Sequence, residues 1–140
     1  MVFNTRYQLR FQKWFVPIPI QERKKMITEL IRQTPHMKAL DVNISLYHGD
    51  VVFLFAADLE DNELYIIELI HRWVVVMNDY FKQLCELDIM YNFEKCQFLL
   101  DELVIGGELQ ELDREIVVQN AQDLDRLMED DPQGKYLRLY

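Results

Sequence analysis

The amino-acid sequence predicts an α+β domain in which helices cover an antiparallel sheet. Strand-like patterning is confined to the stretch before Asn62, and helical periodicity dominates after it. Such segregation marks α+β folds, whereas alternating strands and helices mark a parallel sheet. Half of the residues are hydrophobic and 28% are charged, so 140 residues are enough to bury a core without disulfides or metal.

Met1–Asn4 is a short apolar start that leads the strand order. Leu9–Val16 alternates, with Leu9, Phe11, Lys13 and Phe15 on one side and Arg10, Gln12, Trp14 and Val16 on the other, which predicts a strand. Pro17 and Pro19 end it because proline donates no ladder bond. Over Ile20–Gln33 the apolar positions Ile20, Met26, Ile27, Leu30 and Ile31 predict a helix whose Glu22, Arg23, Lys24 and Lys25 face water. Thr34-Pro35 stops it. Val42–Tyr47 and Val51–Ala57 predict a hairpin turning at His48-Gly49-Asp50, and the run VVFLFAA suits a strand buried on both faces. Asp61 or Asn62 caps a long helix over Asn62–Phe81, with Leu64, Ile67, Ile70, His71, Val74, Met77 and Asn78 along one side. A helix over Asp88–Ile105 follows, with Phe93, Leu100, Leu103 and Val104 inward and Gly106-Gly107 as its stop. Glu111–Met128 predicts a last acidic helix, with Leu112, Ile116, Val117, Leu124 and Leu127 tending to one side. The expected order is β-β-α-β-β-α-α-α, a single domain over 1–129 with a flexible tail over 130–140.

A formal net charge of −9 argues against nucleic acid, whose binders neutralise phosphates with Lys and Arg. The acid concentrates in Glu108–Asp131, whereas Arg6–Lys38 is basic, so the two ends suit different partners. Cys85 and Cys96 form no CxxC pair and sit among apolar residues, as reduced buried thiols do. No stretch reaches the ~18 apolar residues of a membrane span, and the N-terminus lacks the apolar core of a signal peptide. No P-loop, GxGxxG, GxSxG or HExxH is present, and His36, His48 and His71 have no partners at metal-ligand spacing. Glu68 is placed to pair with His71 three residues on, and Asp88 in Glu86-Leu-Asp88 suits a helix cap as well as an acid/base pair. Neither an enzyme activity nor a cofactor is expected.

Two segments carry a resemblance. LRFQKWFVP with IQERKKMITEL lies within 9–30. DNEL, IH, YF, CELDI, NFEK, LDE and GGE follow in order within 61–111. Both are similar to the small sigma chains of clathrin adaptor complexes, over about three quarters of the chain by the extent of these segments. NFEK and IGGE look most like the sigma chain of the trans-Golgi and endosomal adaptor, with the plasma-membrane adaptor's small chain as runner-up. The chain departs from the family in a shorter first strand, a shorter connection over Thr34–His48, and Leu46, Tyr47 and His48 in place of a basic stretch.

The resemblance implies a longin-like fold, a five-stranded antiparallel sheet, here shortened, between helices. It implies assembly with a large adaptin chain of gamma or alpha type, and with beta and mu subunits, in a heterotetramer. Its place would be the cytoplasmic face of trans-Golgi network, endosome and clathrin-coated vesicle membranes, reached peripherally through the complex. With the large chain it would bind acidic dileucine sorting signals. Matching positions place Val51, Val74, Leu84 and Ile89 in the aliphatic pocket, Gly49 at its edge, Gln83 beside it and Arg10 near the acidic residue. Val51 and Val74 also suit plain core positions, Arg10 a solvated surface and Trp14 an interface or core. Two other readings share the fold: a stand-alone longin domain regulating membrane traffic and a coat-complex zeta-type small chain. CELD and NFEK fit the zeta chain less well, and no SNARE heptad region or anchor is expected after residue 105.

Overall fold

A computed structural model describes residues 1–33, 43–57, 60–105, 108–109 and 113–130. Its elements in chain order are β1 (Val2–Asn4), β2 (Leu9–Phe11), α1 (Ile20–Gln33), β3 (Asn43–His48), β4 (Val51–Ala56), α2 (Glu63–Phe81), α3 (Glu86–Tyr91), α4 (Phe93–Leu103), β5 (Val104–Ile105), β6 (Glu108–Leu109) and α5 (Arg114–Asp130). Among the described residues the main sheet has four antiparallel strands in the order β2-β1-β4-β3, and β5-β6 form a separate pair. The α+β, longin-like architecture holds, with four strands of the main sheet among the described residues.

Successive side chains of a strand point to opposite faces, and β4 uses both. Val51 and Phe53 join one buried cluster with α2, α4 and α5, while Val52 and Leu54 join a second with Leu30 of α1. The sheet is therefore sandwiched, which explains the uninterrupted apolar run. On the α2 side Trp73 is fully buried, with its ring 5.3 Å from Phe11, 5.4 Å from Phe53 and 6.1 Å from Phe55. The contacts to Phe53 and Phe55 are edge-on, the favourable arrangement for aromatic quadrupoles. Its indole N–H donates to the Cys96 carbonyl at 3.3 Å, satisfying a polar group that burial would otherwise penalise.

Several expected boundaries move. The first long strand stops at Phe11, because Phe11 pairs with Val2 and residues beyond it pass the first paired residue of β1. The buried side of α2 is Ile66, Leu69, Ile70, Trp73, Val74, Val76 and Met77, with Leu64, Ile67 and His71 exposed. So apolar a helix admits more than one seam, and the packing of Trp73 selects this one. In α1, Leu30 is buried while Ile20 and Met26 are exposed, since only its C-terminal half meets the sheet. Asn62 caps α2 through its side chain, accepting from the Leu64 N–H at 3.0 Å.

The expected helix over Asp88–Ile105 is two helices, interrupted at Asn92, whose backbone is non-helical. Helix α4 then ends at Leu103, where Val104 turns extended into β5. The Gly106-Gly107 stop lies outside the described residues, between β5 and β6. In α5 the buried residues are Val117 and Ala121, and Ile116 and Leu127 are exposed; Leu112 and the tail from 131 lie outside the described residues. Glu68 pairs with Arg72 rather than His71, at 2.7 Å across one helical turn.

Three helices meet at Asp125 of α5. Its carboxylate accepts from the Tyr80 hydroxyl of α2 and pairs with the Lys95 ammonium of α4. Burial and the adjacent carboxylate push the Tyr80 phenol above its ordinary pKa. The Lys95 side chain is only 17% exposed, so removing its counter-charge strands a cation in a poorly hydrated place. Asp125→Ala is expected to lower stability by about 1–3 kcal/mol, discounted for partial exposure. Adding Lys95→Met should recover part of the loss, as urea denaturation of the four forms of the double-mutant cycle would measure.

Candidate functional site

The β1–β2 turn and the start of α3 meet in a polar network. Asn4, at the end of β1, is only 5% exposed, yet its amide is fully used. Its Oδ1 accepts from the Arg6 and Gln8 backbone N–H groups at 3.0 and 2.9 Å. Its Nδ2 donates to Gln8 Oε1 at 2.9 Å and to Glu86 Oε1 at 3.0 Å. Tyr7 takes a left-handed backbone conformation (φ 58°) to close the turn, and its N–H bonds the Asn4 carbonyl. Asparagine suits this position because its side chain offers two acceptor lone pairs and two donors at once.

Arg10 enters the network through an irregularity in the sheet. Val2 pairs with Phe11 but Phe3 pairs with Leu9, so the register slips by one and Arg10 has no partner opposite. Such a bulge re-aims a side chain and often lies beside a functional site. It also breaks the expected alternation. Phe11 packs into the α2-side cluster and Leu9 against the α1-side cluster, although the two are two residues apart. Arg10 Nε lies 2.7 Å from Glu86 Oε1, and its Nη2 donates to Gln8 Oε1 at 3.1 Å. Hydrogen bonds from Arg10 and Asn4, with Arg6 adding attraction, hold the Glu86 carboxyl below its usual pKa.

Glu86 opens α3 and belongs to the connection carrying the expected aliphatic residues. Lys82 ends α2 in a left-handed conformation (φ 64°), and the Leu84 N–H is anchored on Asn78 Oδ1 at 3.2 Å. The Asp88 carboxylate accepts from the Cys85 N–H at 3.0 Å and from its thiol at 3.2 Å. Asp88 thus serves the helix start from its third position. Leu84, Ile89, Val51 and Val74 all belong to one buried cluster, at 6%, 1%, 0% and 6% exposure. Gln83 is exposed beside Leu84, and Gly49 is exposed in the β3–β4 turn with φ +59°, just before Val51. All four aliphatic residues are thus members of the main core, and Arg10 is joined to the start of α3 through Glu86.

Sequence reasoning overlooked Asn4, Gln8 and the pairing of Glu86. The CELD acids were visible as a pair and Asp88 as a cap, but only the register slip that aims Arg10 at Glu86 reveals the use of Glu86. A separate cavity of about 310 Å³ is lined by His71, Arg72, Val75, Val76, Leu103 and Arg114, and none of the expected site residues lines it. Among the described residues no group of three or more His, Cys, Asp or Glu is placed to hold a metal ion, and no helix is long and apolar enough to cross a membrane. Burial pushes the Cys96 thiol up to about 12, so it stays protonated and poorly nucleophilic at neutral pH.

The lowered Glu86 pKa fixes the sign of one pH effect. Folding favours its ionised form, so its contribution is complete above the unfolded glutamate value, ~4.3, and is lost as pH falls through the lower folded value. Denaturation midpoints measured from pH 6 downward should fall less steeply for Glu86→Gln than for the parent chain over that acidic window.

The clathrin adaptor complex small chain family matches residues 1–128. The AP-1 complex subunit sigma-3 of Homo sapiens is 38% identical over 138 residues, covering 92% of this chain and 90% of the relative. The AP-1 complex subunit sigma-2 of Arabidopsis thaliana is 36% identical over 139 residues, covering 92% and 85%. In three dimensions the chain superposes with TM-score 0.72 on a chain from a homology model of the full-length AP-3 complex in a stretched open conformation. That match covers 95% of both chains at 19% identity, a likeness of fold. With the family matching nearly end to end and relatives in animals and plants above 30% identity, the chain belongs to the clathrin adaptor complex small chains.

Proposed function

We propose that this chain packs against a large adaptin chain of gamma type within an AP-1-like heterotetramer that also holds beta and mu subunits. With that large chain it binds acidic dileucine sorting signals at the cytoplasmic face of trans-Golgi, endosomal and clathrin-coated vesicle membranes. It works as a binding and scaffolding subunit, with no reaction of its own. The observation that carries the reading is the meeting of a bulged, re-aimed arginine with the α2–α3 connection. Arg10 offers a cation beside the junction that carries Gln83 and Leu84 and leads into Ile89 of α3. Leu84 and Ile89 share one buried cluster with Val51 and Val74, which a ligand would have to reach. An acidic residue upstream of two aliphatic ones asks for that pairing of charge and apolar surface.

Exposed apolar side chains support a partner. Leu87, Met90 and Tyr91 of α3 are 58%, 40% and 79% exposed, and Leu64 of α2 is 75% exposed. Such groupings are uncommon on chains that work alone and are covered in obligate assemblies.

Co-expression with an AP-1 large chain is expected to yield a soluble complex, and the isolated chain to be poorly soluble. A well-behaved monomer indifferent to every large chain would favour the stand-alone longin reading.

Calorimetry on the assembled complex tests the cargo site. Replacing both leucines of an acidic dileucine peptide by alanine should abolish binding without touching the protein. Val74→Ser should weaken the intact peptide by about 1–3 kcal/mol, through lost burial and an unpaired hydroxyl, in a complex shown by its melting curve to remain folded. Unchanged affinity in a folded Val74→Ser complex would place Val74 in the core alone.

A further inference from the structure

Glu86 occupies the cation that the proposed site needs. The Arg10 guanidinium has two edges able to grip a carboxylate with paired N–H groups. The edge formed by Nε and Nη2 is already consumed, Nε by Glu86 and Nη2 by Gln8. The same Glu86 oxygen also accepts from Asn4, which in turn grips Gln8. Arg6, exposed in the adjoining turn, is the other cation felt by Glu86. Arg10 and Arg6 are thus the two cations that act on this internal anion.

We propose that Glu86 is an internal competitor that sets how strongly the site selects an acidic residue in its ligand. The inference rests on the cargo reading given above and adds the residue that tunes it. A carboxylate arriving at Arg10 meets a guanidinium already neutralised on one edge, and it approaches a second carboxylate as it binds. Glu86 thereby weakens the reward for acid and leaves the aliphatic pair to carry more of the affinity. Its removal as a charge need not disturb the scaffold, because a glutamine carbonyl can accept the same bonds from Arg10 and Asn4. The bulge and the Asn4–Gln8 clamp hold Arg10 in place in either case.

The test uses the complete adaptor complex and two dileucine peptides that differ only in having glutamate or glutamine at the upstream acidic position. The quantity read is the ratio of their affinities. Glu86→Gln is expected to raise the preference for glutamate about five-fold or more, the factor that ~1 kcal/mol of relieved repulsion at contact range corresponds to. The gain should shrink as salt rises, with screening over about 8–10 Å. Arg10→Gln should erase the preference in both backgrounds. Glu86→Asp, which keeps the charge but shortens its reach, should fall between the parent and Glu86→Gln. A preference that is unchanged or lower in folded Glu86→Gln complex overturns the competitor role. Absence of leucine-dependent binding in the parent complex overturns the cargo reading and this inference together.

Discussion

Burial of a single indole governs how the layers of this protein fit together. Trp73 projects from the middle of α2 onto Phe11 of β2 and Phe53 and Phe55 of β4, while its N–H is claimed by α4. One side chain thus fixes the rotation of α2, its height over the sheet and the approach of the following helix pair. The seating of Val74 and Met77 follows, since they share its face. The position of Leu84 and Ile89 follows too, because the short α2–α3 connection allows little freedom once α2 is set.

Around that packed centre, polar groups act as joints between elements more than as sources of net stability. Asp125 collects α2, α4 and α5 through Tyr80 and Lys95. Glu86 collects the β1–β2 turn and α3 through Asn4 and Arg10. Lys13 reaches Asp101 of α4 at 3.2 Å, tying the chain after β2 to the helical layer. Exposed ion pairs each contribute little, but these pairs join segments remote in sequence and so specify which surfaces meet. A chain with net charge −9 gains in another way, since each such pair places a cation where it relieves local repulsion.

Much of the architecture was legible because its signals are local. Gly49 marks the hairpin turn, Asn62 the start of α2, and the period of α2 its helical state. What escaped depends on contacts between distant residues. The face of α2 was misplaced because Leu64 and Ile67 are as apolar as the residues that are buried, and only the rings of β2 and β4 distinguish them. The break at Asn92 and the early end of α4 at Leu103 interrupt a continuous helical pattern with no proline or glycine at the break. At the candidate site motif order singled out four aliphatic residues, and the structure shows them buried in one core cluster. The bulge at Arg10 was not, because register is a property of two strands and a one-residue slip leaves no mark in either alone.

The amide of Asn4 has a bearing on how this protein ages. Asparagine side chains hydrolyse to carboxylates when the amide carbon is free to meet the following backbone nitrogen. Here both ends of the amide are held, its oxygen by two backbone N–H groups and its nitrogen by Gln8 and Glu86, in a site nearly closed to water. The clamp that shapes the turn therefore also restrains the rotation that such chemical damage needs. Were the damage to occur, two donors would become acceptors, and a new negative charge would face Glu86. The corner that receives Arg10 would lose its balance without any change in the gene.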